Sequence, residues 1–179
     1  MRQRKPKGRR PLLATMAAAA LLGGCAAPQV RPEPEAAVVL PSPDVLAQVR
    51  AAGREADDGI DVTPLRDPVV EDLRERAARQ EAARDYARAE ESLDEALRLV
   101  PGDPELLQWR AELALARGAF DEAVRLAGDS WERGPRLGGL CRRSWAVIRV
   151  ARELTGYPEA AAAAQAQLAR CTVAPPVRM

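Results

Sequence analysis

The chain has 179 residues, with 27 lysines and arginines against 26 aspartates and glutamates, and it contains no histidine. The lack of histidine removes the commonest general base, the commonest zinc ligand and the third member of most nucleophilic triads. No glycine-rich nucleotide-binding loop occurs either, so we expect no cofactor and no metal.

The first 24 residues have the anatomy of an export signal. Six basic residues fall within positions 1–10, an apolar run follows at 12–22, and a small pair, Gly23-Gly24, precedes Cys25. As a helix the apolar run would cover only about 16 Å, roughly half of a hydrocarbon core. The run therefore predicts a cleaved signal rather than a transmembrane helix.

The sequence Leu22-Gly23-Gly24-Cys25 resembles the signal of bacterial lipoproteins. The resemblance implies cleavage before Cys25 and lipidation of its thiol, and several acyl chains together anchor a protein stably. Ala26, rather than an aspartate, follows the cysteine, which by the same resemblance implies the outer membrane, facing the periplasm. The alternative is an ordinary signal peptide that contains a cysteine.

Cleavage would change the charge of the chain. The signal holds six basic residues and no acidic ones, so the remainder has 21 basic against 26 acidic residues, a net charge of −5. Nucleic-acid binding requires a basic face that displaces counterions, so we expect no nucleic-acid partner.

Residues 25–67 are predicted to be a lipidated N-terminus followed by a disordered, proline-rich linker. This range has six prolines and no aromatic residue, too few large apolar groups to offset the entropy of ordering. Residues 44–54 place Val45, Leu46 and Val49 on one side of a helix. We expect that helix to be transient and to lack a partner within the chain.

Residues 68–171 are predicted to form an all-α domain, followed by a flexible tail at 172–179. Asp67-Pro68 and Asp103-Pro104 each offer an N-cap acid before a proline at the first helical position. Gly118, Gly134 and Gly156 fall where helices should end. No alternating apolar pattern predicts a strand. The six predicted helices are 68–83, 86–100, 104–117, 120–133, 140–155 and 158–170.

An internal repeat organises these helices. With a shift of 34 residues, Ala77, Tyr86, Ala89 and Pro101 align with Ala111, Phe120, Ala123 and Pro135. This period with its small residues and closing proline resembles the tetratricopeptide repeat, a helix–turn–helix unit. The resemblance implies about three hairpins, the third divergent because 37 residues separate Ala123 from Ala160. The alternative is a helical bundle without repeats.

Two cysteines remain besides Cys25. Gly156 lies 15 residues from both Cys141 and Cys171, so two helical arms folded at that glycine would bring the cysteines to one level. We expect a structural disulfide, since exported proteins meet an oxidising environment; the alternative is two buried thiols.

The repeat resemblance also implies a binding surface. Such repeats bind protein segments along the concave face formed by their first helices. Four glutamates among the carried-over positions favour a basic or amine-bearing ligand. The predicted partner-binding residues are Glu71, Arg74, Glu81, Glu105, Gln108 and Glu112, with Ala78 and Leu115 beside them.

These features together predict a non-enzymatic, lipid-anchored adaptor that binds a protein partner in the periplasm. A lipid anchor, a tether and a small repeat domain resemble the lipoprotein activators of class A penicillin-binding proteins, which are bifunctional peptidoglycan synthases. One alternative is a lipoprotein of pilus or secretin assembly. An alternative of another class is a peptidoglycan hydrolase with two catalytic carboxylates.

Overall fold

The computed structural model describes residues 44–54 and 66–172. The predicted signal, Cys25, the rest of the linker and residues 173–179 lie outside these ranges. Within them the chain is helical and has no strand, which confirms the all-α prediction. The helices are α1 (Val45–Arg54), α2 (Pro68–Ala82), α3 (Tyr86–Leu99), α4 (Pro104–Ala116), α5 (Phe120–Arg133), α6 (Gly138–Leu154) and α7 (Pro158–Arg170).

Helices α2–α7 begin and end within two residues of their predicted limits. The predicted N-caps are formed: an Asp67 carboxylate oxygen accepts from the Val69 amide at 2.8 Å, and Asp103 accepts from the Leu106 amide at 2.9 Å. Gly118 and Gly156 follow the ends of α4 and α6 with φ of 79° and 78°, the left-handed backbone that glycine adopts without strain. Short-range capping chemistry therefore sets these boundaries.

The six helices form three hairpins, α2–α3, α4–α5 and α6–α7, and α4 lies between two apolar cores. Leu106 and Leu113 on one side of α4 join the core of the first hairpin. Leu107 and Leu115 on the other side join a larger core with α1, α5, α6 and α7. The longer spacing of the third repeat arises in α6, which has 17 residues where α4 has 13.

The prediction for residues 44–54 was wrong. α1 is a formed helix that packs against α4 and α6. Val45, Leu46 and Val49 are buried in the same core as Leu107 and Val147, so the apolar side of α1 does have a partner within the chain. The described residues consequently hold seven helices instead of six.

The last hairpin contains a disulfide. Cys141, near the start of α6, is bonded to Cys171, the C-cap of α7, with 5.7 Å between their Cα atoms. Among residues 44–54 and 66–172, no helix combines the length and the apolarity that crossing a bilayer requires.

Candidate partner-binding groove

The first helices of the three hairpins, α2, α4 and α6, form one surface, and α1 lies on it. α1 contacts α4 and α6 through its buried side and reaches α2 through Arg50. α1 therefore lies along the groove that the first helices of the repeats form. What remains of the groove is an open cavity of about 720 Å³ between α1, α2, α4 and α6.

Arg50 joins α1 to two of the glutamates that were predicted to bind a partner. Its Nη1 and Nη2 donate to the two carboxylate oxygens of Glu81 at 2.7 and 3.1 Å. Its Nε donates to Glu112 Oε2 at 2.8 Å. Such charge-assisted bonds, one of them bidentate, fix orientation as well as adding energy, so Arg50 sets the register of α1 in the groove.

The pKa of Arg50 reflects this environment. Burial by itself lowers it, but the hydrogen bonds and charges of Glu81 and Glu112 outweigh burial and raise it above the ordinary arginine value. The guanidinium therefore keeps its charge at any working pH.

Glu112 is the centre of a buried polar network. Its side chain has no exposed surface, and Oε1 accepts from Arg143 Nε at 2.8 Å and from Gln108 Nε2 at 3.0 Å. The network continues from Gln108 Oε1, which accepts from the Ser144 hydroxyl at 2.9 Å. A buried carboxylate is tolerated only when it is paired and hydrogen-bonded, and here two arginines from different helices supply the pairing.

α6 also holds the end of α1. Arg142 Nε donates to the Ala52 carbonyl oxygen at 2.7 Å, satisfying one of the carbonyls left open in the last turn of α1. The backbones approach closely at Gly53 and Gly139, where a Cβ built on Gly139 would lie 3.1 Å from the Gly53 carbonyl oxygen. Larger residues at either position would push the two helices apart.

The predicted role of Gln108 and Glu112 as partner-binding residues is corrected by this arrangement. Gln108, Glu112 and Leu115 have no exposed surface, and Glu112 is also paired with Arg50 of α1, so a partner cannot touch them in this arrangement. The sequence reasoning treated the first helices as a free surface, whereas α1 covers the part that α4 and α6 contribute.

The other predicted residues lie near the rim of the open cavity. Glu105 pairs with Arg66 and, at 3.5 Å, with Arg74. Arg74 also lies 3.7 Å from Glu71, and its guanidinium carbon sits 5.6 Å from the centre of the Trp109 ring. The glutamates of the groove are therefore neutralised by arginines of the same chain.

Sequence reasoning missed Arg50, Arg142 and Arg143. No short motif contains these arginines, because Arg50 lies 31 and 62 residues from the glutamates that it contacts. The available signal was the apolar side of α1, which was noticed but not assigned a partner. In the part of the chain that the structure describes, no group of cysteines and acids is arranged to hold a metal ion.

Comparison with known proteins shows what this fold is similar to. Residues 81–136 match the tetratricopeptide repeat family model. The solved structure of the globular C-terminal domain of P. aeruginosa LpoP matches with a TM-score of 0.55 and 28% sequence identity, over 59% of this chain and 99% of that one. No curated protein matches the chain. The helical domain is therefore similar to tetratricopeptide repeats over residues 81–136, and as a whole it resembles the globular C-terminal domain of LpoP.

Proposed function

We propose that this protein is a non-enzymatic adaptor, anchored in the outer membrane by lipid on Cys25, whose repeat domain binds and activates a class A penicillin-binding protein in the periplasm. The likeness to the LpoP domain carries the proposal, because it spans 99% of that domain at 28% identity. The lipoprotein-like sequence that ends at Cys25 supports the anchor.

The docking of α1 shortens the proposed tether. Only residues 26–44 separate Cys25 from α1, and 19 residues fully extended span at most about 70 Å. The start of α1 therefore lies within that distance of the anchored membrane, and the partner must reach the domain there. A synthase with a large periplasmic portion meets this requirement.

The groove supports binding rather than catalysis. Hydrolysis of a glycosidic bond by two carboxylates needs one of them to act as a proton donor. Here Glu81, Glu105 and Glu112 are each held in an ion pair with arginine, so none of them stands free to donate a proton to a substrate. Of the residues predicted to bind a partner, Arg74, Glu81 and Glu105 line the open part of the groove and Glu71 lies beside Arg74, so these four remain within reach of the proposed partner.

The disulfide supports an extracytoplasmic location. A bond between Cys141 and Cys171 persists in an oxidising compartment such as the periplasm and is rarely kept in the cytoplasm. The pair has a structural role in the proposal: it closes the last hairpin at the end remote from Gly156.

Reconstitution tests the activation. The purified protein is added to the class A penicillin-binding protein of the same organism, and glycan polymerisation from lipid-linked precursor is followed. We expect faster polymerisation with the adaptor and no turnover of peptidoglycan by the adaptor alone. An unchanged rate, or peptidoglycan cleavage without the synthase, would contradict the proposal.

Fractionation tests the anchor separately. The wild-type protein is expected in the outer-membrane fraction, with a mass at its N-terminal peptide that includes diacylglycerol on Cys25. Cys25→Ser removes the thiol and should leave the protein unanchored, while the fold of residues 66–172 stays the same. An unmodified Cys25 thiol in the wild-type protein would contradict the proposed lipid anchor but would leave the proposed adaptor role unaffected.

A further inference from the structure

The open part of the groove has a charge opposite to the one that its glutamates suggested. Its walls carry four arginines, Arg50, Arg54, Arg74 and Arg143, against two glutamates, Glu81 and Glu105. The sequence favoured a basic ligand because it counted glutamates on α2 and α4 alone. Three of the four arginines belong to α1 and α6, and with them the lining has more positive than negative charges.

Both glutamates at the cavity are already engaged. Glu81 accepts from Arg50 at 2.7 Å and from Trp109 Nε1 at 2.6 Å. Glu105 is paired with Arg66 and Arg74. A basic ligand would have to compete with these internal pairs, and it would bring its own charge next to the arginines. Attraction of a cation to this cavity is therefore weak.

Three arginines at the cavity have guanidinium N–H groups that are not fully used in contacts within the chain. Arg54 is exposed and forms no ion pair with any residue of the described ranges. Arg74 lies 3.5 and 3.7 Å from its two carboxylates, and its Nη1, which is buried, has no hydrogen-bond partner among the described atoms. Arg143 spends its Nε and Nη2 on Glu112, and 30% of its side chain stays exposed. Guanidinium groups with free N–H donors bind carboxylates in paired geometry.

The cavity also offers apolar surface between these charges. Ala78 and Ala82 of α2, Trp109 of α4 and Leu140 of α6 line it, and Ala78 is exposed. Charged and apolar residues from four helices line the cavity, and such a mixed lining fits an extended peptide better than a single small anion. A stacked aromatic ring and short side chains leave room for the backbone of such a segment.

We propose that this groove binds an acidic segment of the protein partner, with its carboxylates paired to Arg54, Arg74 and Arg143 and an apolar side chain against Trp109. The inference rests on the proposed function for the existence of a protein partner, and it assigns the chemistry of the contact. The docked α1 is part of the site, because it supplies Arg54 and one wall.

Site-specific photocrosslinking in living cells tests this assignment. A photoreactive amino acid replaces Ala78 in the full-length protein, and the captured peptide is sequenced by mass spectrometry. We expect a segment of the partner rich in aspartate and glutamate. Capture of a basic segment, or of glycan without protein, would overturn the proposal.

A charge-reversal pair measures the contact. Arg54→Glu should weaken binding of the captured partner about tenfold, the scale of one lost charged contact. Arg170→Glu is the matched control: Arg170 is also an exposed arginine in the last turn of its helix, and it forms no ion pair with a described residue. The control changes the net charge equally and should bind as the wild type does.

The remaining outcomes separate this inference from the proposed function. Replacing acids of the captured segment by lysine should restore binding to Arg54→Glu. If both arginine variants bind equally well, or if the partner co-purifies but is never captured from position 78, the acidic-segment assignment fails while the adaptor role stands. If no protein partner co-purifies, both fail.

Discussion

Helices α1 and α7 both pack against α6, but they are attached to it in different ways. α7 follows α6 in the chain, and the bond between Cys141 and Cys171 closes their far ends. α1 is held by buried apolar side chains, by Arg50 and by the hydrogen bond from Arg142 to the Ala52 carbonyl. The covalent link survives any local opening, whereas the contacts of α1 break together.

This difference has a consequence for the groove. α1 has ten residues, and isolated helices of that length are marginal in water. It is therefore helical because the groove holds it, and detaching it amounts to unfolding it. Detachment would remove Arg50 from Glu112 and Arg54 from the proposed site, so the binding surface depends on how firmly α1 is docked.

The largest expected effect concerns the attachment of α7. The disulfide joins residues 30 apart in sequence, and in the chain-entropy model removing such a link costs about 3–4 kcal/mol. We expect Cys141→Ser with Cys171→Ser to lower the free energy of unfolding in urea by that amount. The wild-type protein under reducing conditions is the control and should behave likewise. Equal stability of the oxidised and reduced proteins would mean that α7 needs no covalent link.

The next effect concerns the ionic attachment of α1. Glu112→Gln keeps the shape of the side chain but leaves Arg50 and Arg143 without their shared carboxylate. Loss of one partner from a fully buried pair costs about 3–5 kcal/mol. Because each arginine is about one-third exposed and can turn toward water, we expect about 2–3 kcal/mol here. Thermal or urea denaturation measures it.

A surface-facing cluster supplies the matched control for Glu112. Glu122 also contacts two arginines, Arg110 at 3.1 Å and Arg117 at 3.4 Å, but its side chain is 31% exposed. Glu122→Gln should cost less than about 1 kcal/mol, as exposed ion pairs usually do. Equal losses in the two variants would show that burial of Glu112 does not add to the attachment of α1.

The parts of the fold that the sequence predicted are those held by interactions between residues close together in the sequence. The N-caps at Asp67 and Asp103 and the left-handed glycines are fixed by neighbours within a few residues, so α2–α7 were predicted closely. The 34-residue repeat predicted the hairpins, because each repeat unit is one hairpin that packs on the next. The docking of α1 was missed, although a transient helix was predicted there, because its contacts to Glu81, Glu112 and Arg142 join residues 31, 62 and 90 positions apart.

The site was predicted less well for a related reason. The positions carried over from the repeat family identified the correct helices, and Glu81 and Glu105 do line the cavity. Their charge was misread, because Glu81 is paired with Arg50 of α1 and Glu105 is paired with Arg66 and Arg74. A further arginine of the cavity, Arg143, comes from α6, whose register the divergent third repeat concealed. Counting charges on one face of two helices cannot predict a groove that a third and a fourth helix complete.

A smaller effect tests the apolar side of α1. Val49 has no exposed surface, and Val49→Ala would remove two methyl groups from the core shared with α4 and α6. We expect a loss of about 2 kcal/mol, combining the transfer free energy with the cavity left behind. Val69 is 56% exposed, so Val69→Ala should change stability by less than about 0.5 kcal/mol. Similar values for the two variants would indicate that α1 is not docked in solution.

The smallest effect probes the close approach of α1 to α6. A Cβ at Gly53 would lie 2.7 and 2.9 Å from Arg143 Cγ and Cδ and 3.2 Å from the Gly139 carbonyl oxygen. Gly53→Ala therefore displaces the arginine that pairs with Glu112, and overpacking of this kind costs about 1–3 kcal/mol. The higher helix propensity of alanine returns up to about 1 kcal/mol. We expect a net loss of about 1 kcal/mol, seen as faster amide hydrogen exchange in residues 45–54.

The same substitution elsewhere separates propensity from packing. A Cβ at Gly128, inside α5, meets nothing within 4 Å, so Gly128→Ala should gain most of the propensity term of about 1 kcal/mol. Opposite signs for the two substitutions are expected if α1 is pressed against α6 as the structure places it. Slower amide exchange of α1 in Gly53→Ala would mean that the gain in helix propensity exceeds the packing cost at both sites. α1 would then stay docked at a larger distance from α6 than the contact between Gly53 and Gly139 sets.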